Sequence, residues 1–469
     1  MIPLTKIFKH WTYEMIAPGT LLKEKYEAFK ALLRNDKRAL ELLAELEEIY
    51  HDQIKVDFNV IENKYDELSR CVSEMVVKLN NISPSRYLDL RDYFEKFDSY
   101  VRFMLEPPAF NTSPPFTIPI EKISSDSQAM VGSKALNLAI IGKDLQLPVP
   151  SGFVITSNAF HYLLESNDLR KSIDEKLSKL DVHSGSSLNA LSHGLVNIVK
   201  DAEIPPEIEE AILSTFRSSH WDRGENVILA MRSSAVGEDT RASFAGQYRT
   251  VLNVKEENIL DAYKEVIASK YEPNALYYRI NYGLSDRETP MAVIALEMVD
   301  AKASGITYTK NLETPESNNL VIHSIWGLGD LLASGELSPD IIEVKKEPKA
   351  RIAKRKPGDK DKQMVFTKEA STEIIPVEEE ERRTLSLDDE SALALTEWGM
   401  RLEGHYKQPQ DIEWCMDKEG YLFVLQSRPL QSGEKSDENS KYSFEDVSNA
   451  VLVSGGETAC SGCRSRKSV

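Results

Sequence analysis

The sequence predicts a protein of mixed helix and sheet, α+β or α/β, that follows an N-terminal helical domain. Apolar residues recur at three- and four-residue spacings, with charges between them, over Leu21–Ile49 and Asp57–Leu79. This pattern is typical of amphipathic helices. The paired prolines of 107–108 and 114–115 then exclude both helix and central strand. Beyond them, short β-branched runs alternate with helical patterns, which indicates a sheet-containing fold. These runs are Phe153–Thr156, Val227–Met231, Met291–Met298, Leu320–Ile325 and Leu422–Gln426.

These changes of pattern predict a division of the chain into five segments. A helical domain is expected over 1–105, a Pro-rich linker over 106–117 and the sheet-containing domain over 118–431. A second, polar linker over 432–442 leads to a short segment, 443–469. The helical domain carries no chemical motif, so we expect it to be a docking or dimerisation layer.

The composition excludes several classes of partner. The chain has 469 residues, with 57 Lys+Arg against 75 Asp+Glu and a formal charge of −18. This excess of acid argues against binding to nucleic acid or to anionic membranes. No apolar run approaches the ~20 residues of a membrane-spanning helix, and the N-terminus lacks the pattern of a secretory signal. We therefore expect a cytoplasmic protein in which any site for an anionic ligand concentrates its basic residues locally.

Two motifs have the residue types of an anion site. Arg232 follows an apolar run, at the predicted end of a strand, and precedes a loop rich in Ser, Ala and Gly. Such a loop lets backbone N–H groups approach an anion, and a fixed Arg can bind phosphate in a bidentate manner. In Gly132-Ser133-Lys134, a Gly/Ser turn that opens a helix places Lys134 near a helix N-terminus. Each motif taken alone is also compatible with a structural role.

A third motif predicts a hairpin whose side chains suit a metal and phosphates. Asp411 and Glu413 would share one face of its first strand, and Gln426 and Arg428 one face of the second. The turn between them is expected at Asp417–Gly420. Oxygen ligands of this kind suit Mg²⁺, and an Arg suits a transferring phosphate. The alternative is a cross-strand salt bridge on a solvated face. A glycine-containing segment, Trp326–Asp330, is either a loop beside a ligand or a plain turn.

Five segments occur in the order of one protein family. They are GSKALNLAIIGKDLQLPVPSGFVIT, MRSSAVGEDTRASFAGQYRTVLNV, SGITYT, WGLGDLLASGELSPD and QDIEW…LQSRP. Over roughly residues 118–431 the sequence closely resembles the ATP-binding domain of phosphoenolpyruvate synthase and pyruvate phosphate dikinase, which rifampicin phosphotransferase shares. The resemblance implies an α+β, ATP-grasp-like fold in which two lobes clamp ATP.

The resemblance also implies ATP and Mg²⁺ as cofactors and a role for each candidate residue. The catalytic residues that hold phosphates would be Lys134, Arg232 and Arg428. The phosphate loop would include Gly246, Gln247 and Thr250, and Glu297 would lie near the adenine or the ribose. The ligands of Mg²⁺ would be Glu413 and Gln426, with Asp411 in support.

In this family, ATP phosphorylates a histidine on a separate swivelling domain. Residues 443–469 resemble only the start of that domain, and none of the eight histidines has the matching context. The resemblance therefore implies the Mg-ATP-binding part of a phosphoenolpyruvate synthase-like dikinase of the pyruvate, water dikinase type. Its phosphoryl acceptor would be a histidine on a domain or subunit supplied in trans.

Other functions fit the same residues, and one is an interaction protein in which the helical layer over 1–105 docks a partner and ATP only regulates it. The chain could be a truncated or stand-alone nucleotide-binding module without turnover of its own. It could instead be the ATP-binding subunit of a split phosphotransferase, such as a phenylphosphate synthase-type system. In either case the helical N-terminal domain is a possible site of oligomerisation.

Overall fold

The computed structural model describes ten stretches of the chain, and two of the predicted site residues, Gly246 and Gln247, lie outside them. The predicted linker 432–442 and the segment 443–469 also lie outside. The described residues are 18–51, 56–83, 86–105, 110–180, 184–221, 227–236, 248–314, 316–346, 349–367 and 371–430.

Helices and strands are interspersed along the described residues. The helices are α1 (Pro18–His51), α2 (Phe58–Ile82), α3 (Asp89–Leu105), α4 (Gln128–Lys143), α5 (Ser157–Ser166), α6 (Leu169–Leu177), α7 (Gly185–Lys200), α8 (Pro206–Ser218), α9 (Ile259–Ala268), α10 (Pro273–Asn281), α11 (Asp330–Ala333) and α12 (Asp389–Tyr406). The strands are β1 (Thr117–Pro119), β2 (Gly152–Ile155), β3 (Leu229–Ala235), β4 (Thr250–Val254), β5 (Met291–Glu297), β6 (Ala301–Tyr308), β7 (Asn319–Trp326), β8 (Asp340–Lys345), β9 (Arg351–Lys356), β10 (Lys362–Phe366), β11 (Thr372–Pro376), β12 (Gln410–Asp417) and β13 (Leu422–Pro429).

The strands form three sheets in which all strand pairs are antiparallel. The interpretation as mixed helix and sheet is therefore confirmed, and the sheets are not the parallel ones of an α/β fold. The first sheet has the order β1-β2-β5-β3-β4, the second β13-β12-β6-β7-β8-β9, and the third pairs β10 with β11.

The N-terminal helices pack mainly through α2. The helices α1 and α2 bury Ala39, Leu42 and Cys71 between them, and the predicted helical patterns fall within these two helices. The start of α2 is fixed by Asp57, whose side chain accepts a hydrogen bond from the backbone N–H of Asn59 at 3.0 Å. This is the usual way in which an N-cap satisfies a free helix donor. No residue of α3 is buried, so α3 adds little core.

The central strand of the first sheet, β5, is buried along its whole length. Because side chains alternate between the two faces of a strand, β5 contributes to two separate cores. Val293 and Ala295 belong to the larger core with the helices of one face. Ala292 and Ile294 belong to the core formed with α4 on the other face. The second sheet has its own core, in which Trp414 packs beneath α12.

Helix α4 lies between the two large sheets and contacts both. It is broken at Gly132, whose backbone is not helical, with φ +75°. The position requires glycine, because a Cβ there would lie 2.2 Å from the backbone oxygen of Ser234 on β3. Farther along α4, the Asn137 side-chain amide donates to the backbone oxygen of Ser427 on β13 at 3.3 Å. No helix among the described stretches is long and apolar enough to cross a membrane.

Candidate functional site

A cleft opens between the first and second sheets and has an apolar part and a charged part. The space that it spans is about 860 Å³, part of which is open solvent. Its apolar lining includes Ala230, Leu252, Leu296, Met298 and Leu328. Its charged lining consists of Arg232, Glu297, Asp330 and Glu413.

The charged part is built around an ion pair that joins the two sheets. The Arg232 Nη1 atom, on β3, donates to Glu413 Oε2, on β12, at 3.1 Å. About a quarter to a third of each side chain remains exposed, at 25% and 31%. The buried Nε of Arg232 has no hydrogen-bond acceptor among the described residues. Arg232, which lines the cleft, therefore keeps a donor that the pair does not use.

The sequence predicted Arg232 at the end of a strand, but the residue lies in the middle of β3. The strand β3 continues to Ala235, and Ser233 and Ser234 pair with Val293 and Ala292 of β5. The prediction was wrong because small residues have weak β preference of their own, whereas pairing with a buried central strand decides the conformation.

The predicted hairpin is confirmed, and its register brings four candidate residues together. Glu413 on β12 lies opposite Gln426 on β13, and Asp411 lies opposite Arg428. Arg428 Nε donates to Asp411 Oδ2 at 2.9 Å, and Arg428 Nη2 lies 2.8 Å from the same oxygen. A cross-strand salt bridge is thus present, but Asp411 is only 8% exposed. It does not lie on a solvated face.

Asp411 keeps one oxygen available. Its buried Oδ1 has no hydrogen-bond donor among the described residues. Burial raises the pKa of Asp411, and the neighbouring Arg428 opposes that rise. A buried carboxylate with one unpaired oxygen is costly unless a cation or a donor satisfies it.

Lys134 lies on the first turn of α4 after the break at Gly132. The turn is held to β3, because Ser234 Oγ donates to the Val131 carbonyl at 2.7 Å and accepts from the backbone N–H of Ala135 at 3.2 Å. The same helix contacts β13 through Asn137. Lys134 is therefore carried by a segment that touches both the strand of Arg232 and the strand of Arg428.

Other predicted residues lie apart from this group. Glu297 is buried at the end of β5 and lines the cleft. Thr250 is the first residue of β4, where it pairs with Arg232 across the sheet, and it does not line the cleft. Lys134, Asp411, Gln426 and Arg428 do not line the cleft either.

Sequence reasoning missed Asp330 as a site residue. It begins α11 and lines the cleft. The Asp330 side chain is exposed to solvent. Partial desolvation in the cleft raises its pKa, the charge of Arg232 lowers it, and the charge of Glu413 raises it. The available signal was the Gly-Leu-Gly-Asp run, in which an acid directly follows a glycine loop.

A cleft with an apolar lining and charges of both signs suits a charged, partly apolar small molecule. Comparison with known families makes this specific. The chain belongs to the family of the pyruvate phosphate dikinase AMP/ATP-binding domain, which matches residues 128–448. The predicted family is therefore confirmed, and the chain contains an ATP-binding domain of this family.

Several curated relatives are named phosphoenolpyruvate synthase or rifampicin phosphotransferase. Phosphoenolpyruvate synthase of Aquifex aeolicus is 34% identical over 71% of this chain and 41% of its own length. A probable phosphoenolpyruvate synthase of Methanocaldococcus jannaschii is 30% identical over 72% of this chain and 28% of its own length. Rifampicin phosphotransferase of a Streptomyces species is 31% identical over 67% and 36%. The chain thus spans less than half the length of these relatives.

Among solved structures, D-alanyl-alanine synthetase A of Vibrio cholerae matches 56% of this chain and 63% of its own. The sequence identity is 10% and the TM-score is 0.19. A likeness this low carries no argument about the fold.

Proposed function

We propose that this chain binds Mg·ATP in the cleft and transfers a phosphoryl group from it to a histidine on a domain or subunit supplied in trans. The activity would be that of the nucleotide-binding part of a phosphoenolpyruvate synthase-like dikinase. The observation that carries the proposal is the Arg232–Glu413 pair, which joins the two sheets across the cleft at 3.1 Å, in a chain that belongs to this family.

In this proposal, the apolar and the charged side chains of the cleft serve different parts of ATP. In the proposal, the apolar lining takes the adenine, with Glu297 near the adenine or ribose. Lys134, Arg232 and Arg428 hold the phosphates, together with the loop of Gly246, Gln247 and Thr250. Phosphoryl transfer depends mainly on positioning and on cations placed against developing negative charge. Two Arg and one Lys on three adjacent elements meet that requirement in a chain of net charge −18.

The residues of the hairpin fit a magnesium ion. Glu413 and Gln426 lie opposite each other and offer oxygen ligands, which Mg²⁺ prefers. The unpaired Oδ1 of Asp411 offers a further oxygen nearby. In the proposal these three residues hold the ion, directly or through water. When bound, Mg²⁺ neutralises phosphate charge and orients the triphosphate.

The chemical step in this proposal is a displacement at phosphorus. A ring nitrogen of the acceptor histidine attacks a phosphorus of ATP, the bond from that phosphorus to the bridging oxygen breaks, and the rest of the nucleotide leaves with the negative charge. Arg232 and Arg428 stabilise this charge while Lys134 keeps the phosphates in position.

We also propose a division of the chain into domains. A helical domain covers 1–105, an ATP-grasp-like domain of two lobes covers 118–431, and the acceptor histidine belongs to a separate domain.

Nucleotide binding can be tested by thermal unfolding of the full chain. Mg·ATP should raise the melting temperature because it binds only the folded state. Glu413→Gln should weaken this response, whereas Glu379→Gln, which changes an exposed carboxylate that does not line the cleft, should leave it intact. A wild-type melting temperature that is the same with and without Mg·ATP contradicts the proposal.

The transfer itself can be tested with a separately expressed phosphohistidine domain. Incubation with labelled ATP should give label on that domain that is stable in base and lost in acid, as expected of phosphohistidine. Arg428→Ala should reduce labelling, and an acceptor domain with its histidine replaced should show none. Nucleotide binding without any labelling would favour the alternative of a stand-alone module.

A further inference from the structure

The N-terminal helices present apolar surface that the rest of the described chain does not cover. On α1 this surface is a stripe of large apolar residues whose spacing alternates between four and three residues. Their exposed fractions run from 43% for Leu43 to 80% for Tyr50. The stripe consists of Leu22, Tyr26, Phe29, Leu33, Leu40, Leu43 and Tyr50, interrupted by Asp36 and Glu47 at the same spacing.

This stripe has the period of a coiled-coil seam. Positions that alternate by three and four residues stay on one side of a helix over many turns when a second helix packs along them. The helix α1 has 34 residues, so it extends for about 50 Å. That length gives the stripe four heptads, which is enough for a stable pairing with another helix.

The intrachain contacts of α1 use a different stripe. The side that faces α2 carries Ala28, Ala39 and Leu42, which are buried. The two helices are also joined at their margins, because Arg38 Nε donates to Glu67 Oε1 at 2.8 Å and Asn35 Nδ2 donates to Glu74 at 2.9 Å. Since α1 already has its partner on this side, the outer stripe is left for another molecule.

The helix α3 presents a second exposed stripe with the same alternation. It consists of Leu90, Tyr93, Phe97, Tyr100 and Met104. No residue of α3 is buried within the chain, although the helix has 17 residues. Two stripes of this size on one three-helix unit form an apolar surface larger than scattered exposed residues account for.

The charges of α1 indicate which molecule fits the stripe. Residues 18–37 carry five basic and three acidic side chains, whereas residues 38–51 carry one basic and four acidic. The N-terminal half of the helix is therefore positive and the C-terminal half negative. Two copies of α1 placed antiparallel would oppose each positive half to a negative half, and parallel copies would oppose like charges.

We propose that the outer stripe of α1 pairs with the same stripe of a second copy of this chain, antiparallel and about a two-fold axis. Such an interface is isologous, because every contact between two residues occurs twice. The paired α1–α2 units form a four-helix arrangement, and the exposed stripe of α3 adds to the surface that the second copy covers. This pairing is independent of the proposed nucleotide site, which lies between the two sheets.

The oligomeric state of the full chain tests this proposal. Sedimentation velocity over a wide range of protein concentration should show a reversible dimer. The double variant Leu33→Asp/Leu40→Asp should raise the dissociation constant at least about tenfold, since a charge would be buried at the centre of the seam. The matched control Leu312→Asp/Ile374→Asp changes two residues that are exposed to a similar degree, 41% and 49%, and should leave the dimer intact.

The charge pattern tests the orientation. The variants Lys23→Glu/Lys30→Glu and Glu47→Lys/Glu48→Lys should each weaken the dimer, because each makes the two halves alike in sign. The four changes combined should restore it. A combined variant no tighter than the two doubles overturns the antiparallel pairing.

Two other outcomes overturn the proposal altogether. One is a wild-type chain that stays monomeric at the highest concentration. The other is a dimer that survives Leu33→Asp/Leu40→Asp in a chain with unchanged far-UV circular dichroism. In both cases the stripe would belong to another occupant, such as residues 1–17 or a different protein. The response of the melting temperature to Mg·ATP, measured in the same variants, keeps a failure here distinct from a failure of the proposed function.

Discussion

Two clusters of ionic residues in this chain have similar composition and very different exposure. In the cleft, the Arg232 and Glu413 side chains are 25% and 31% exposed. In the other cluster, Lys270, Arg279, Asp286 and Asp57 are at most 3% exposed. An ion pair by itself therefore does not mark a functional site. What separates the two is whether a ligand from solvent can reach the charges.

The buried cluster balances two cations against two anions. Asp286 Oδ1 lies 2.9 Å from both Lys270 Nζ and Arg279 Nη1. Burial raises the pKa of Asp286, but Lys270 and Arg279 together outweigh that effect and hold it at about 2. Arg279 Nη2 also lies 3.8 Å from Asp57 Oδ2. Because Asp57 is the N-cap of α2, this cluster attaches the N-terminal helices to the helices that cover the first sheet.

The cleft cluster is built the opposite way. Its charges, Arg232 and Glu413, come from separate sheets and remain partly exposed to solvent. The buried cluster stabilises the fold only when all its members are present, since removing one member leaves a buried charge without its partner. A partly open cluster contributes little to stability and can exchange its partners for a ligand.

The largest change in the free energy of unfolding is expected from a substitution in the buried cluster. Arg279→Met should lower the free energy of unfolding by about 3–5 kcal/mol, because Asp57 and Asp286 lose their shared cation in a buried place. Denaturant unfolding would measure it. The matched control is Arg355→Met, which removes an exposed pair with Asp389, 42% and 58% exposed, and should cost at most about 1 kcal/mol. Equal losses in the two variants would erase the distinction between the clusters.

A smaller change in the free energy of unfolding is expected when the pH is lowered, because of His161, which lies near the buried cluster. Burial, and then the charge of Arg170, lower the pKa of His161 from 6.5 to about 3. The unfolded chain therefore binds a proton between these two values and the folded chain does not, so stability falls as the pH drops below 6.5. Between pH 7 and pH 5 this residue should cost about 2 kcal/mol.

The variant His161→Gln isolates that contribution. Glutamine does not titrate, and its side-chain oxygen can still accept from Arg170, whose Nη2 lies 3.1 Å from His161 Nδ1. Denaturant unfolding at pH 7 and pH 5 should show a difference about 2 kcal/mol smaller in the variant than in wild type. The same pH dependence in both proteins would mean that His161 is protonated in the folded chain.

The sequence predicted what local patterns determine. The helices α1 and α2 and the hairpin of β12 and β13 follow from the spacing of apolar residues and from a turn, and the structure confirms them. The predicted hairpin also implied that four candidate residues lie in one region, namely Asp411, Glu413, Gln426 and Arg428. The roles of these residues in binding and catalysis remain predictions.

What the sequence could not predict depends on contacts between distant residues. Arg279 and Asp57 are separated by more than two hundred positions, and no local pattern indicates that they meet. Arg232 was placed at a strand end because Ser233 and Ser234 have weak β preference, whereas pairing with β5 extends the strand past them. The link between Arg232 and Glu413 likewise exists only once the two sheets pack around α4.

The smallest change in stability is expected from a substitution in the cleft cluster, and this variant also tests the proposed function. Arg232→Gln should lower the free energy of unfolding by no more than about 1 kcal/mol, because the pair with Glu413 is partly solvated. The same variant should lose most of the rise in melting temperature that Mg·ATP gives wild type, since the amide has no charge to offer a phosphate. Denaturant unfolding and thermal unfolding with and without Mg·ATP measure the two quantities. A large loss of stability with an intact nucleotide response would show that Arg232, like Arg279, serves the fold rather than the ligand.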